Sequence, residues 1–114
     1  MRRLAFVLPV LASCATTPPP VDQLAAARSS VAQAQAAAAA DAPLELAQAQ
    51  TKLARAEDAM QRADYEEARR FAEEADVDGR LAAVVAQNAR ARRGAADLDR
   101  EIEALRQELR EEAK

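Results

Sequence analysis

Apolar residues recur along this chain at intervals of three and four, the spacing that lines one face of an α-helix and not the alternation of a strand. From residue 21 onward Leu24, Ala27, Val31, Ala34 and Ala38 keep this interval, which predicts a first helix over residues 21–41. Pro43 ends it, because proline disfavours helix in the preceding residue and is well placed as the first residue of the next helix. The turn therefore falls at Asp41-Ala42-Pro43. A second helix over 43–63 carries Leu46, Ala49, Leu53, Ala56, Met60 and Ala63. Its large and small residues alternate, so that leucines fill space left by alanines on a facing helix. Asp58 and Arg62 stand four apart on its outer side as a surface pair.

Asp64-Tyr65-Glu66-Glu67 has the form of a capping box, with Asp64 accepting from exposed amides and Glu67 reaching back. A third helix over 65–112 starts there. No Gly or Pro enforces the break, so one continuous helix through this point stands as the alternative. Ala68, Ala72, Ala75 and Gly79 form a smooth face suited to lie on helix two. From Leu81 another seam takes over: Leu81, Val84, Asn88, Ala91, Ala95, Leu98, Ile102, Leu105 and Leu109, a heptad repeat with Leu81 at position a. Gly94 is the point at which this helix would be interrupted. A helix of this length spans about 70 Å at 1.5 Å per residue, more than the earlier helices can cover. Its far end, with Leu98, Ile102, Leu105 and Leu109, either folds back on helices one and two or pairs with another copy. In the second case Ile102 at a and Leu105 at d favour a parallel dimer, and Glu101 at g faces Arg106 at e of the partner. Asn88 at an a position either fixes the register or is a tolerated polar residue in an alanine-rich seam. The predicted fold class is all-α: a helical hairpin or three-helix bundle with a long C-terminal, coiled-coil-like third helix.

Composition limits what such a fold can do. Aromatic residues make up 3% of the chain and only two residues are glycine, so the core is thin and built from methyl groups. There is no histidine, and Cys14 is the single cysteine, which leaves nucleophilic catalysis without a base or an orienting group. The carboxylate pairs Glu66-Glu67, Glu73-Glu74 and Glu111-Glu112 are adjacent in a helix and point in different directions, as on a solvated face. Asp76-Val77-Asp78-Gly79 resembles the start of a calcium loop but lacks the bidentate glutamate at the twelfth position. Arg90, Arg92 and Arg93 have acidic neighbours on both sides and read as mixed-charge helix surface, with lipid phosphates or an acidic wall polymer as the functional alternative. The expected protein is not an enzyme and holds no metal and no cofactor.

The first fourteen residues have a different character. Arg2 and Arg3 precede the apolar run Leu4 to Leu11, which is too short to span a membrane but has the layout of a secretory signal. Leu11-Ala12-Ser13-Cys14 resembles the lipobox of bacterial lipoproteins. That resemblance implies cleavage before Cys14, lipid on its thiol and amine, and, with Ala15 next, a place in the outer membrane facing the periplasm. Two or more acyl chains hold a protein durably where one does not. Cleavage removes residues 1–13 with two arginines and no acid, leaving 14 basic against 19 acidic residues, a net charge of −5. An acidic, exported protein is not expected to bind nucleic acid. Residues 14–20, ending in Pro18-Pro19-Pro20, form a proline-rich tether, and 21–114 form the helical domain.

Leu24-Ala25-Ala26-Ala27-Arg28-Ser29-Ser30-Val31, Ala42-Pro43-Leu44-Glu45-Leu46-Ala47-Gln48-Ala49-Gln50, Lys52-Leu53, Ala56, Ala59-Met60 and Asp64-Tyr65-Glu66-Glu67-Ala68-Arg69 together resemble a family of bacterial lipoproteins, domain of unknown function 4398. The resemblance covers residues 21–86 and implies a short, alanine-rich helical protein with no catalytic residue to carry over. The Asp-Tyr-Glu-Glu-Ala-Arg stretch also resembles part of a tetratricopeptide helix pair, but one such unit makes no solenoid. The expected function is that of a non-enzymatic envelope lipoprotein, held by membrane lipid and presenting helices to a periplasmic protein or to itself. The alternative is a structural spacer joining outer membrane to peptidoglycan through Lys114, although Glu111-Glu112-Ala113 replace the aromatic and basic residues that precede the linking lysine in the lipoprotein this resembles.

Overall fold

In a computed structural model of the chain, residues 16–114 are described, and they form three α-helices in sequence: α1 (Val21–Ala38), α2 (Pro43–Gln61) and α3 (Tyr65–Glu112). The fold is all-α. Helix α3 packs against both α1 and α2, which touch each other much less. It runs antiparallel to α2 and parallel to α1, and at 48 residues it is about 72 Å long.

Helix α1 starts directly after Pro20, whose side chain is buried and whose carbonyl accepts from the Leu24 amide at 3.1 Å. It ends at Ala38, three residues short of the expected Asp41. The cause is local: the Ala38 carbonyl takes both the Asp41 and the Ala42 amides. The chain tightens there into a turn that leaves Ala42 extended ahead of Pro43. Helix α2 ends at Gln61, again short of the expected 63. Ala63 has φ 58°, the left-handed region, and the Asp64 amide reaches Ala59 O while the Ala63 amide reaches Met60 O. Together these make a Schellman ending, with alanine where glycine is usual. Ala63 is consequently exposed and is not part of the apolar seam assigned to it from spacing.

The break between α2 and α3 is thus a hairpin, not a continuous helix. Asp64 caps α3, its Oδ1 accepting from the Glu67 amide at 3.2 Å. The return half of the capping box does not form, because the Asp64 amide is already bonded to Ala59. Glu67 turns instead to Arg62, 3.2 Å away, so Arg62 pairs across the turn and not with Asp58. Tyr65 is half-buried at this tip, where Thr16 and Thr17 border the same hollow as Ala63, Asp64 and Glu66.

The core is made almost entirely of alanine, twelve of its fifteen buried hydrophobic residues, with Leu24, Val31 and Leu46 as the large exceptions. Ala34, Ala38, Ala42 and Leu46 meet Ala82 and Ala86 near the α1–α2 turn. Leu24, Ala27 and Ala56 meet Ala72 and Ala75 nearer the other end, with Leu53, Met60 and Phe71 closing over them. Small side chains let the backbones approach, so packing comes from many close contacts and not from large buried groups. Gly79 marks the tightest place, where a Cβ would sit 3.0 Å from the Ser30 carbonyl carbon.

Candidate functional site

The buried stripe of α3 is Ala68, Ala72, Ala75, Gly79, Ala82 and Ala86, the small-residue face prolonged by two positions. The expected handover to Leu81 and Val84 as packing residues does not occur. Both are about half exposed, as is Val77. The reason is angular: Val77, Leu81 and Val84 each stand two residues beyond a member of the buried stripe, and two residues turn a helix through about 200°. The large apolar stripe therefore lies on the opposite side of α3 from its contacts with α1 and α2.

That outer stripe continues past the bundle. Residues 91–112 of α3 are exposed throughout, a free helical arm about 33 Å long. Gly94 does not interrupt it, since nothing lies within 4 Å of where its Cβ would be and the helix runs on to Glu112. Leu98, Ile102, Leu105 and Leu109 are 56%, 38%, 58% and 66% exposed. The arm does not fold back on α1 or α2. Its own charges pair along the helix: Arg100 with Asp97, and Arg110 and Arg106 with Glu103 at 2.8 and 3.7 Å. Lys114 lies exposed beyond it.

Polar contacts fasten the covered half. Asp41, its side chain 7% exposed, accepts from Arg90 at 2.7 Å and from Arg93 at 2.5 Å, tying the α1–α2 turn to α3 where the bundle ends. These two hydrogen bonds hold its carboxyl below the ordinary value near 3.8. Two members of the arginine cluster are thus engaged within the protein, across 49 and 52 residues of sequence, a partnership no local pattern signals. Lys52 reaches Asp78 at 2.7 Å and Glu74 at 3.4 Å. The bond to Asp78 raises the lysine's pKa, and the ammonium is the counter-ion of an Asp78 oxygen that has no other partner. Asp76 and Asp78 are accordingly committed to Ser30, Arg80 and Lys52 and do not form a calcium loop.

A hollow of about 520 Å³, open to solvent, lies between α1 and α3 beside Ser29, Ser30, Gln33, Asp76, Gly79 and Arg80. Ser30 donates to Asp76, which also accepts from Arg80. The Asp76 carboxylate is thus shared between the Ser30 hydroxyl and the Arg80 guanidinium. Among the described residues no group of three or more His, Cys, Asp or Glu is placed to hold a metal ion, and no helix is long and apolar enough to cross a membrane. Leu11, Ala12, Ser13 and Cys14 lie outside the described residues.

Fold and surface together define an all-α protein whose most prominent feature is an unpaired helical arm with one apolar stripe. The chain belongs to the family described as domain of unknown function (DUF4398), whose profile matches residues 22–98. A solved DUF4398 family protein from Pseudomonas aeruginosa PAO1 is 35% identical, with a TM-score of 0.76 over 82% of this chain and 98% of that one. No curated protein matches the sequence. The matched residues end at Leu98, so Ile102, Leu105 and Leu109 lie past the family profile.

Proposed function

We propose that this protein is a non-enzymatic envelope lipoprotein, lipid-anchored at Cys14, that presents the α3 arm as a docking surface to a protein in the periplasm. The carrying observation is the arm itself: residues 91–112 stay helical with Leu98, Ile102, Leu105 and Leu109 in one uncovered stripe. Isolated helices of this length are marginal in water and gain their stability by covering an apolar face, so a bare seam of four large residues is a surface that binding stabilises. The anchor rests on the sequence Leu11-Ala12-Ser13-Cys14 and supplies the place, the outer membrane.

Chemical cross-linking in whole cells, followed by purification of the wild type and of a Leu98→Ala/Ile102→Ala/Leu105→Ala variant, tests the docking role. Loss of cross-linked species in the variant is expected; an unchanged profile would sink the idea. The anchor has its own test. Cys14→Ser should leave the membrane fraction and lose incorporation of labelled fatty acid, and a variant that still carries label would remove Cys14 from the scheme.

A further inference from the structure

The buried and exposed stripes of α3 have the same spacing and differ by two residues, which places them about 200° apart on the helix. Their contents differ. The buried one is alanine and glycine; the exposed one holds Val77, Leu81, Val84, Leu98, Ile102, Leu105 and Leu109, seven of the nine exposed large hydrophobic residues among those described. With Leu81 at a, all seven fall at a or d, and Asn88, Ala91 and Ala95 fill the positions between. The outer stripe is therefore one uninterrupted seam from Val77 to Leu109, about 48 Å long, which begins on the back of the bundle and ends on the arm. Because it faces away from α1 and α2, it is available without unfolding the bundle.

We propose that the occupant of this seam is the same seam of a second copy, the two α3 helices lying parallel and in register. This deepens the docking role proposed above by naming the partner. The polar residue within the seam, Asn88, decides the direction. In the parallel arrangement Glu101 at g meets Arg106 at e of the partner, twice per dimer. Antiparallel pairing over the same seam would set Arg80 against Glu108 and Asp78 against Arg106, but Arg80 and Asp78 are already held by Asp76 and Lys52, and it sets Arg92 against its own copy and Asn88 against the apolar Leu98. In register, Asn88 instead faces its own copy, where each amide has both a donor and an acceptor for the other, the arrangement best known to fix coiled-coil register. Glu101 and Arg106 are both exposed, and Glu101 makes no ion pair among the described residues. A seam with a strict seven-residue repeat drifts by about 20° per heptad around a straight helix, so the pair would wind into a left-handed supercoil. Parallel pairing also brings both α2–α3 tips, and with them both copies of Pro20, to the same end.

The test uses the full chain in mild detergent, measured by sedimentation and light scattering. A dimer is expected for the wild type. Glu101→Arg and Arg106→Glu should each weaken it roughly fivefold, as two exposed ion pairs become two repulsions, and the double exchange should restore it. Circular dichroism shows whether each variant keeps its helix content. A single thiol then fixes direction: in a Cys14→Ser background, Leu105→Cys should oxidise to a covalent dimer with itself. Cross-linking of Leu105→Cys only with Leu81→Cys, the antiparallel partner, would overturn the proposal, as would a monomer at about 100 μM, a concentration at which even a weak pair forms. A monomer that still cross-links to another protein through Leu98, Ile102 and Leu105 in cells would remove self-pairing and leave the docking role standing.

Discussion

The two halves of α3 are one continuous helix, yet they behave as different materials. Residues 65–90 lie against α1 and α2 through alanine and glycine, whereas residues 91–112 carry larger apolar side chains, are exposed throughout, and are tied to the bundle at Arg93, which bonds to Asp41 in the α1–α2 turn. Ala82 is fully buried while Leu105 is 58% exposed. Burial here follows how closely another backbone can approach and not how apolar a residue is. Alanine adds little hydrophobic area of its own, but it lets helices come near enough to gain dispersion contacts along their whole length. Leucine on the arm has the larger tendency to leave water and no neighbour among the described residues that covers it.

The sharpest way to break this contrast is to truncate a large residue in each half. Leu46→Ala, in the core beside Ala82 and Ala86, should cost about 2–4 kcal/mol in denaturant unfolding. Leu105→Ala, measured in dilute protein so that self-association does not contribute, should cost under about 0.5 kcal/mol. Equal losses would mean that the arm is folded onto the bundle in solution.

The two glycines of α3 offer the same substitution with opposite signs. Gly79→Ala puts a methyl 3.0 Å from the Ser30 carbonyl carbon, and this overpacking should outweigh the gain in helix propensity, for a net loss of roughly 1–2 kcal/mol. Gly94→Ala meets nothing within 4 Å and should stabilise the arm helix by about 1 kcal/mol, read as slower amide exchange in residues 91–98. A stabilised Gly79→Ala protein would show that α1 stands further from α3 than the bundle described here requires.

At the joint between α2 and α3, Ala63 holds a left-handed backbone that glycine adopts without cost. Ala63→Gly is therefore expected to raise the thermal midpoint, by about 1 kcal/mol of stability. If the variant melts lower, the Schellman ending does not persist in solution.

The smallest effect is expected where the bundle gives way to the arm. Asp41 has a folded pKa below its ordinary value because Arg90 and Arg93 bond to the charged form. Its contribution is thus fully present above about pH 3.8 and is lost as pH falls through the lower, folded value. Asp41→Asn should flatten the acid limb of the stability curve below that pH and leave the neutral region with only a small loss. An acid limb identical to that of the wild type would separate Asp41 from the two arginines.

Much of this was legible from spacing. Leu24, Ala27, Val31, Ala34 and Ala38 are the buried face of α1 as their interval predicts, and the start of α3 at Tyr65 follows from the Asp64 cap. Such features depend on neighbours within one or two turns. The ends of α1 and α2 were less legible, because the Ala38 carbonyl and the left-handed Ala63 are set by turn geometry that no residue type announces. Asp41 with Arg90 and Arg93, and Lys52 with Asp78, join residues far apart in sequence, and only the packing of helices brings them together.

The amino-acid sequence by itself determined the helices, the proline break and the two stripes of α3, since each is a local pattern read at 3.6 residues per turn. Which stripe would be covered was decided only by the tertiary structure. Both satisfy the helical period, but the smooth one lets α1 and α2 settle against α3 with Gly79 on the Ser30 backbone. The bulkier one cannot be approached so closely by the same two helices. It is left facing outward along the bundle and onto the arm.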